Sequence, residues 1–207
     1  MIFSSILIED AVSQFSKLPG IGKKTALRLV LHLLKQDKNQ VELFSHLISK
    51  MRNEIQFCAK CHNVSDHEIC RLCNDFARKK NQICIVENIR DVMAIEATQQ
   101  YSGMYHVLGG LISPLDGIGP ETLTIASLIN RIETEEIEEL IFALSPTLEG
   151  DTTSYYITKK IHNKPIKITA LSRGVAFGGE LEYADELTLA RSFVNRLPID
   201  KLVNTSN

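Results

Sequence analysis

Four of the five cysteines are spaced as metal ligands. In C-A-K-C-H-N-V-S-D-H-E-I-C-R-L-C, Cys58 and Cys61 form one Cys-x-x-Cys pair and Cys70 and Cys73 a second, with 8 residues between them. Each pair can wrap two thiolates around one tetrahedral ion, and four thiolates close the shell, leaving no position for a catalytic water. The pattern predicts one structural zinc ion per chain. Redox-active or disulfide-bonded cysteines are the alternative, and a cytosolic chain disfavours them. His62 and His67 lie between the pairs, are surplus to the shell and read as surface residues. Zinc with four thiolates carries a double negative charge, which Lys60 and Arg71 inside the knuckles offset. The fifth cysteine, Cys84, stands in an apolar run and reads as a small core residue.

A second constellation is K-L-P-G-I-G-K-K-T-A-L-R-L-V, Lys17 to Val30, which starts a helix without a capping side chain. After Gly22 the apolar residues Ala26, Leu27, Val30, Leu31, Leu33 and Leu34 recur at helical spacing, yet no Ser, Thr, Asp or Asn precedes them. Lys23 and Lys24 stand at the electropositive end of this helix, where each cation costs roughly a few tenths of a kcal/mol. A phosphate resolves the conflict. Unpaired amides and the helix dipole form an anion site, and both lysines become favourable once the anion arrives.

Pro19 would stop a preceding helix over Asp10 to Lys17, and Gly20 and Gly22 would permit a tight hairpin. Lys24, Arg28, His32 and Lys35 follow at spacings of 4, 4 and 3, so the polar stripe is also basic and suits a nucleic-acid backbone. Such a contact reads backbone and not bases. The plain alternative is an amphipathic helix whose lysines face water; a Pro-Gly-Ile-Gly hairpin between two apolar-periodic helices, with basic residues directly after it, favours nucleic acid.

Three acids form the last constellation. Glu87 ends the run I-C-I-V-E, and Glu149 and Asp151 lie in S-P-T-L-E-G-D, beyond the run ending near Leu144. Ligands of an open parallel sheet gather at the carboxyl ends of its strands, so the three can converge there. Converging carboxylates repel unless a hard cation such as Mg²⁺ joins them or one takes up a proton. The alternative is loop acids that face water or cap a helix, with Asp151 as an N-cap ahead of T-T-S-Y-Y.

These residues need elements to position them. Residues 1–53 read as helices, from apolar spacing at Val12, Phe15 and Leu18, then Ala26 to Leu34, then Val41 to Met51. The stretch Phe57 to Phe76 is too short and polar for a core of its own and needs a staple. From Gln82 short apolar runs alternate with helical stretches: strands at 83–86, 105–108, 140–144 and 166–169, helices at Asp91 to Gln99, Thr122 to Ile132, Thr152 to Ile161 and Glu186 to Leu197. This series predicts an α/β fold with a mostly parallel sheet and helices on both faces.

At 207 residues the expectation is one main domain with a smaller attachment. Hydrophobic residues at 44% and charged residues at 23% are ordinary for a globular protein in water, and no run of about 18 apolar residues offers a membrane span. The opening M-I-F-S-S-I-L-I-E-D does not read as a secretion signal, so the cytosol is the expected location. The formal net charge of −2 hides an asymmetry: residues 1–80 carry 13 Lys and Arg against 8 Asp and Glu, residues 81–207 carry 10 against 17. The end from Asn204 to Asn207 reads as frayed.

Taken together, these motifs resemble the bacterial RecR recombination-mediator family over nearly the whole chain. The order carries the resemblance: helix-hairpin-helix L-P-G-I-G-K-K, the four-cysteine site, then a Toprim domain with I-V-E, D-V-M-A-I-E, Y-H-V-L-G-G-L-I-S-P-L-D-G-I-G-P, P-T-L-E-G-D-T-T and G-G-E-L-E-Y-A-D. It implies a helix-hairpin-helix region over 1–53, a zinc finger over 54–80, a Toprim domain over 81–170 and a C-terminal loop and helix over 171–207.

The resemblance further implies a non-enzymatic DNA-repair protein forming a ring-like homo-oligomer, usually a tetramer, in the bacterial cytoplasm with the nucleoid. With partners RecO and RecF it helps load RecA onto single-stranded DNA coated by SSB. Carried over by position, Gly20, Gly22, Lys23, Lys24 and Arg28 form the DNA contact, the four cysteines hold zinc, and Glu87, Glu149 and Asp151 are the Toprim acids, tied to partner binding or Mg²⁺. Related Toprim domains are Mg²⁺-dependent phosphoryl-transfer enzymes, but they pair two aspartates where this chain has Glu149 and Asp151. Ala170 and Ala176 depart from the family, which usually has Arg and Pro there; Arg173 stands near enough to compensate.

Overall fold

A computed structural model describes residues 4–175, 178, 180–196 and 198. The chain divides into two compact units, Met1–Ile55 and Gln56–Asn207. The first is helical: α1 (Ile6–Phe15), α2 (Lys23–Leu34) and α3 (Lys38–Glu54). Its core is small. Val12 packs against Ala26 and Val30, with Ile8, Ala11, Phe15, Ile21 and Leu27 around them. α3 starts on Asp37, whose side chain accepts from the Asn39 amide at 2.9 Å. It contributes no buried residue, although the pattern that predicts it is apolar.

The second unit begins with β1 (Gln56–Phe57) and β2 (Val64–Ser65), an antiparallel pair, and the short α4 (Arg71–Asn74). Then β3 (Lys79–Val86), α5 (Ile89–Ala97), β4 (Gly103–Val107), α6 (Ile125–Thr134), β5 (Glu139–Ala143), α7 (Leu148–Lys160), β6 (Lys167–Ala170) and α8 (Glu186–Val194) follow. The strands lie in the order β4-β3-β5-β6 and every pairing is parallel.

Alternation along the strands covers both faces. Ile83, Ile85, Met104, Leu140 and Phe142 pack against Ile125, Leu128 and Ile132 of α6 and Ile157 of α7. Cys84, Val86, Tyr105 and Val107 point the other way, to Val92 of α5 and Leu72 of α4. β3 lies between β4 and β5, so the connection reverses direction at its carboxyl end, where sheets of this kind open a crevice.

Boundaries differ from expectation where capping chemistry overrides apolar spacing. Asn88 and Asp91 form a reciprocal capping box, which starts α5 at Ile89 and not at Asp91. Thr147, and not Asp151, is the N-cap of α7: its hydroxyl accepts from the Gly150 amide at 3.2 Å, and the helix begins at Leu148. β3 starts four residues ahead of its apolar run, with Lys79, Lys80, Asn81 and Gln82 inside the strand. Ala176, Leu197 and the end from Asn204 to Asn207 lie outside the described residues.

A candidate nucleic-acid interface and a four-cysteine metal centre

The helical hairpin turns on Leu18-Pro19-Gly20-Ile21. The Ile21 amide donates to the Leu18 carbonyl at 3.0 Å, and Gly20 sits at φ 76. This is a type II turn, with Pro setting the second position and a left-handed third position that favours Gly. Gly22 differs. Its φ is −78 and a Cβ there would meet nothing within 4 Å, so the free protein has no steric need for glycine. Gly22 is the N-cap of α2 and supplies no side chain, and the first turn holds no acid.

Lys23, Lys24, Arg28, His32 and Lys35 are exposed, while Ala26 and Val30 face the core. Among the described residues no ion pair engages Lys23, Lys24, Arg28 or Lys35. Lys24, Arg28, His32 and Lys35 line one shallow groove of about 460 Å³ with Leu27 and Leu31. Uncapped amides and unpaired cations on one edge of one helix can receive a polyanion.

In the second unit the ligand atoms of Cys58, Cys61, Cys70 and Cys73 all lie within 4.8 Å of one another, and all four thiols are free. The sulfurs of Cys61 and Cys70 are 3.6 Å apart. Tetrahedral zinc at about 2.3 Å from sulfur needs edges of about 3.8 Å, so the donor set fits. The backbone prepares it: the Cys70 amide donates to Cys58 Sγ at 3.3 Å and the Cys73 amide to Cys70 Sγ at 3.4 Å. On their own these thiols cannot all ionise. Hydrogen bonds with Cys61 and Cys70, together with burial, hold the Cys73 thiol far above its ordinary value. A cation lets all four become thiolates.

The charged residues of the knuckles are engaged elsewhere. Lys60 pairs with Glu135 at 3.2 Å and Arg71 with Asp66 at 3.8 Å, so neither is a free counter-ion for the thiolates. His62 is no ligand, and it is more than a surface residue. It adopts φ 60, donates to or accepts from Ser127 Oγ at 2.7 Å, and meets the His106 ring edge-on at 5.1 Å. His106 is fully buried, hydrogen-bonded to Thr124, and kept neutral: burial, then the Arg131 guanidinium, lower its pKa to about 3. His67 is exposed, as expected.

The knuckle is therefore joined to the sheet. The Val107 amide, on the open edge of β4, donates to the Cys61 carbonyl at 2.9 Å. Arg131 donates to the Tyr105 carbonyl at 2.9 Å and pairs with Glu135, which Lys60 also holds. Leu72 packs on the sheet core beside Cys84 and Tyr105. Cys84 is a core residue, its thiol raised to about 12 by burial. Sequence reasoning missed this network; the one visible signal was Arg131 and Glu135 four apart on a helix.

The ligand atoms of the three acids do not lie close enough to one another to hold one metal. Glu87 follows β3, and Glu149 and Asp151 lie in the first turn of α7. Among the described residues the four cysteines are the one group placed to hold a metal. Asp151 instead pairs with Arg173 and with Arg191, and the Arg173 guanidinium holds its carboxyl below the usual range. Arg173 thus reaches one of the three acids, and the Arg191 contact was not foreseen.

Four family models match the chain: the RecR helix-hairpin-helix over residues 8–52, the RecR zinc finger domain of four cysteines over 55–75, the Toprim domain over 81–172 and the RecR C-terminal region over 174–196. Among curated relatives, the Recombination protein RecR of Cytophaga hutchinsonii is 57% identical over 197 residues, 95% of this chain and 96% of the relative. That of Bacteroides thetaiotaomicron is 56% identical over 194 residues, 94% and 95% of the two chains. That of Flavobacterium johnsoniae is 55% identical over 201 residues, 97% and 98%. No helix among the described residues is long and apolar enough to cross a membrane.

Proposed function

Since this chain belongs to the RecR family of recombination proteins, we propose that it is a non-catalytic DNA-binding scaffold of recombinational repair, acting in the cytoplasm with RecO and RecF to load RecA onto SSB-coated single-stranded DNA. The observation that carries this reading is the start of α2: a helix end with no capping side chain, no acid and a run of exposed, unpaired cations. A DNA phosphate binds the first-turn amides beyond Gly20 and Gly22, Lys23 and Lys24 flank it, and Arg28 continues along the backbone. Zinc held by Cys58, Cys61, Cys70 and Cys73 supplies structure and leaves no open position for chemistry. Glu87 and Glu149 serve a partner contact in the crevice.

Binding should be strongly salt-dependent and nearly sequence-blind. Replacing Lys24 or Arg28 by Ala is expected to lower the slope of log affinity against log salt by about 0.9 each, equally for unrelated sequences. Unchanged slopes would remove both residues from the contact, and nicking of plasmid DNA with Mg²⁺ present, abolished by Glu87→Gln, would refute the non-catalytic reading.

A homotetramer fits the helical unit. A 55-residue unit with three buried core residues among those described is marginal on its own. Its α3 carries Val41, Phe44, Ile48, Met51 and then Ile55 at spacings of 3, 4, 3 and 4, and Phe44, Ile48 and Met51 are 46%, 51% and 53% exposed. That spacing is the seam of paired helices. Solution mass is expected at four chains, reduced by Ile48→Glu; a wild-type monomer at micromolar concentration would contradict it.

A further inference from the structure

Asp151 lies beyond the carboxyl end of β5, where open parallel sheets gather ligands and where a divalent cation is one partner a carboxylate can take. Here the partner is arginine. One carboxylate, Asp151 on α7, receives Arg173 Nη2 at 2.5 Å on Oδ1 and Arg191 Nη2 at 3.9 Å on Oδ2. Arg173 lies beyond β6 and Arg191 within α8, so the loop after the last strand and the last helix both reach back to this group.

The first turn of α7 is a firm base for it. Thr147 caps the helix, and Gly150 packs so closely on the Ser145 carbonyl that a side chain there would collide with it. By contrast α8 has no buried residue, and a cavity of about 480 Å³ separates it from Phe142, Leu144 and Leu171. Apolar packing therefore does little to hold α8. A hard cation needs several oxygen ligands at about 2 Å, and at Asp151 the Arg173 guanidinium already takes one oxygen while the Arg191 charge stands beside the other and repels it.

We propose that Asp151 is the anchor of the C-terminal segment, with the guanidinia of Arg173 and Arg191 standing in the place of a divalent cation, so that the crevice is metal-independent. The carboxylate fastens chain to chain where a metal-dependent relative would coordinate an ion. This goes beyond the DNA-binding reading and does not depend on it.

The test uses the full-length, zinc-loaded protein. It is titrated with MgCl₂ by calorimetry and digested lightly with chymotrypsin, which cuts at Tyr183 and Phe193. The wild type is expected to show no saturable magnesium heat. Asp151→Asn should speed cleavage at Tyr183 and Phe193 about tenfold, as expected when local opening becomes easier by about 1.4 kcal/mol. Arg191→Gln should do the same more weakly. Saturable magnesium binding lost in Asp151→Asn, or cleavage unchanged in both Asp151→Asn and Arg191→Gln, overturns the proposal.

Discussion

Removing zinc is expected to unfold the stretch Gln56–Asn74 and to lower the stability of the parallel sheet with it. Structural zinc sites of this type contribute about 10 kcal/mol or more of apparent binding free energy, which is folding free energy where no preformed site exists without metal. The stretch has two residues in each of its strands and one turn in its helix, too little to fold unaided. Its loss propagates because the Cys61 carbonyl accepts from the Val107 amide, Leu72 covers one face of the sheet, and Lys60 shares Glu135 with the buried Arg131.

Without the knuckle, β4 becomes a bare edge, the Val107 amide loses the Cys61 carbonyl as its acceptor, and Glu135 loses one of its two cations. The checks are a metal assay, expected to give one zinc per chain, and hydrogen exchange at Val107 before and after chelation. Exchange there should accelerate together with exchange in the knuckle. If the sheet kept its protection while the knuckle opened, the coupling would be wrong, and if the assay found no metal, the zinc site would be wrong.

Gly22→Asp is expected to leave the helical unit as stable as before, or slightly more so, and to weaken DNA binding by more than tenfold. Asp is among the best N-caps, ranks above Gly, and complements the helix dipole, so α2 should gain by roughly a few tenths of a kcal/mol. Nothing lies within 4 Å of the position its Cβ would take. The same carboxylate would occupy the amides that a phosphate needs and would repel it, a loss of at least about 1.4 kcal/mol. Stability and binding should therefore move in opposite directions, which a simple folding defect cannot imitate. Thermal unfolding and an affinity measurement at one fixed salt concentration suffice. A variant that is destabilised and binds less would say only that Gly22 is structural; one that binds as well as wild type would remove the phosphate from this helix end.

The elements that hold these sites were legible where the chain repeats a simple period. Ile83, Ile85 and their alternates announce β3, and Ala26 to Leu34 announce α2, because burial on one or both faces is written directly as apolar spacing. The cysteine centre was legible because tetrahedral coordination fixes ligand spacing along the chain. The pairing of Asp151 was not. Arg173 and Arg191 lie 22 and 40 positions away, and only the folded path of β6 and α8 brings them to α7. The link from His62 to His106 escaped notice for the same reason, since nothing in local sequence relates residues 44 apart on a knuckle and a strand. For the acids the sequence left both a shared cation and plain loop positions open, because strand ends indicate where ligands gather, not which charges arrive there first.

The most direct test of the account follows the backbone amides of Lys23, Lys24 and Thr25 by NMR while a short duplex is added at low salt. They are expected to shift first and furthest, to return as salt is raised, and to stay still in Gly22→Asp. Shifts centred on the crevice near Glu87 and Glu149, with these three amides unmoved, would contradict it.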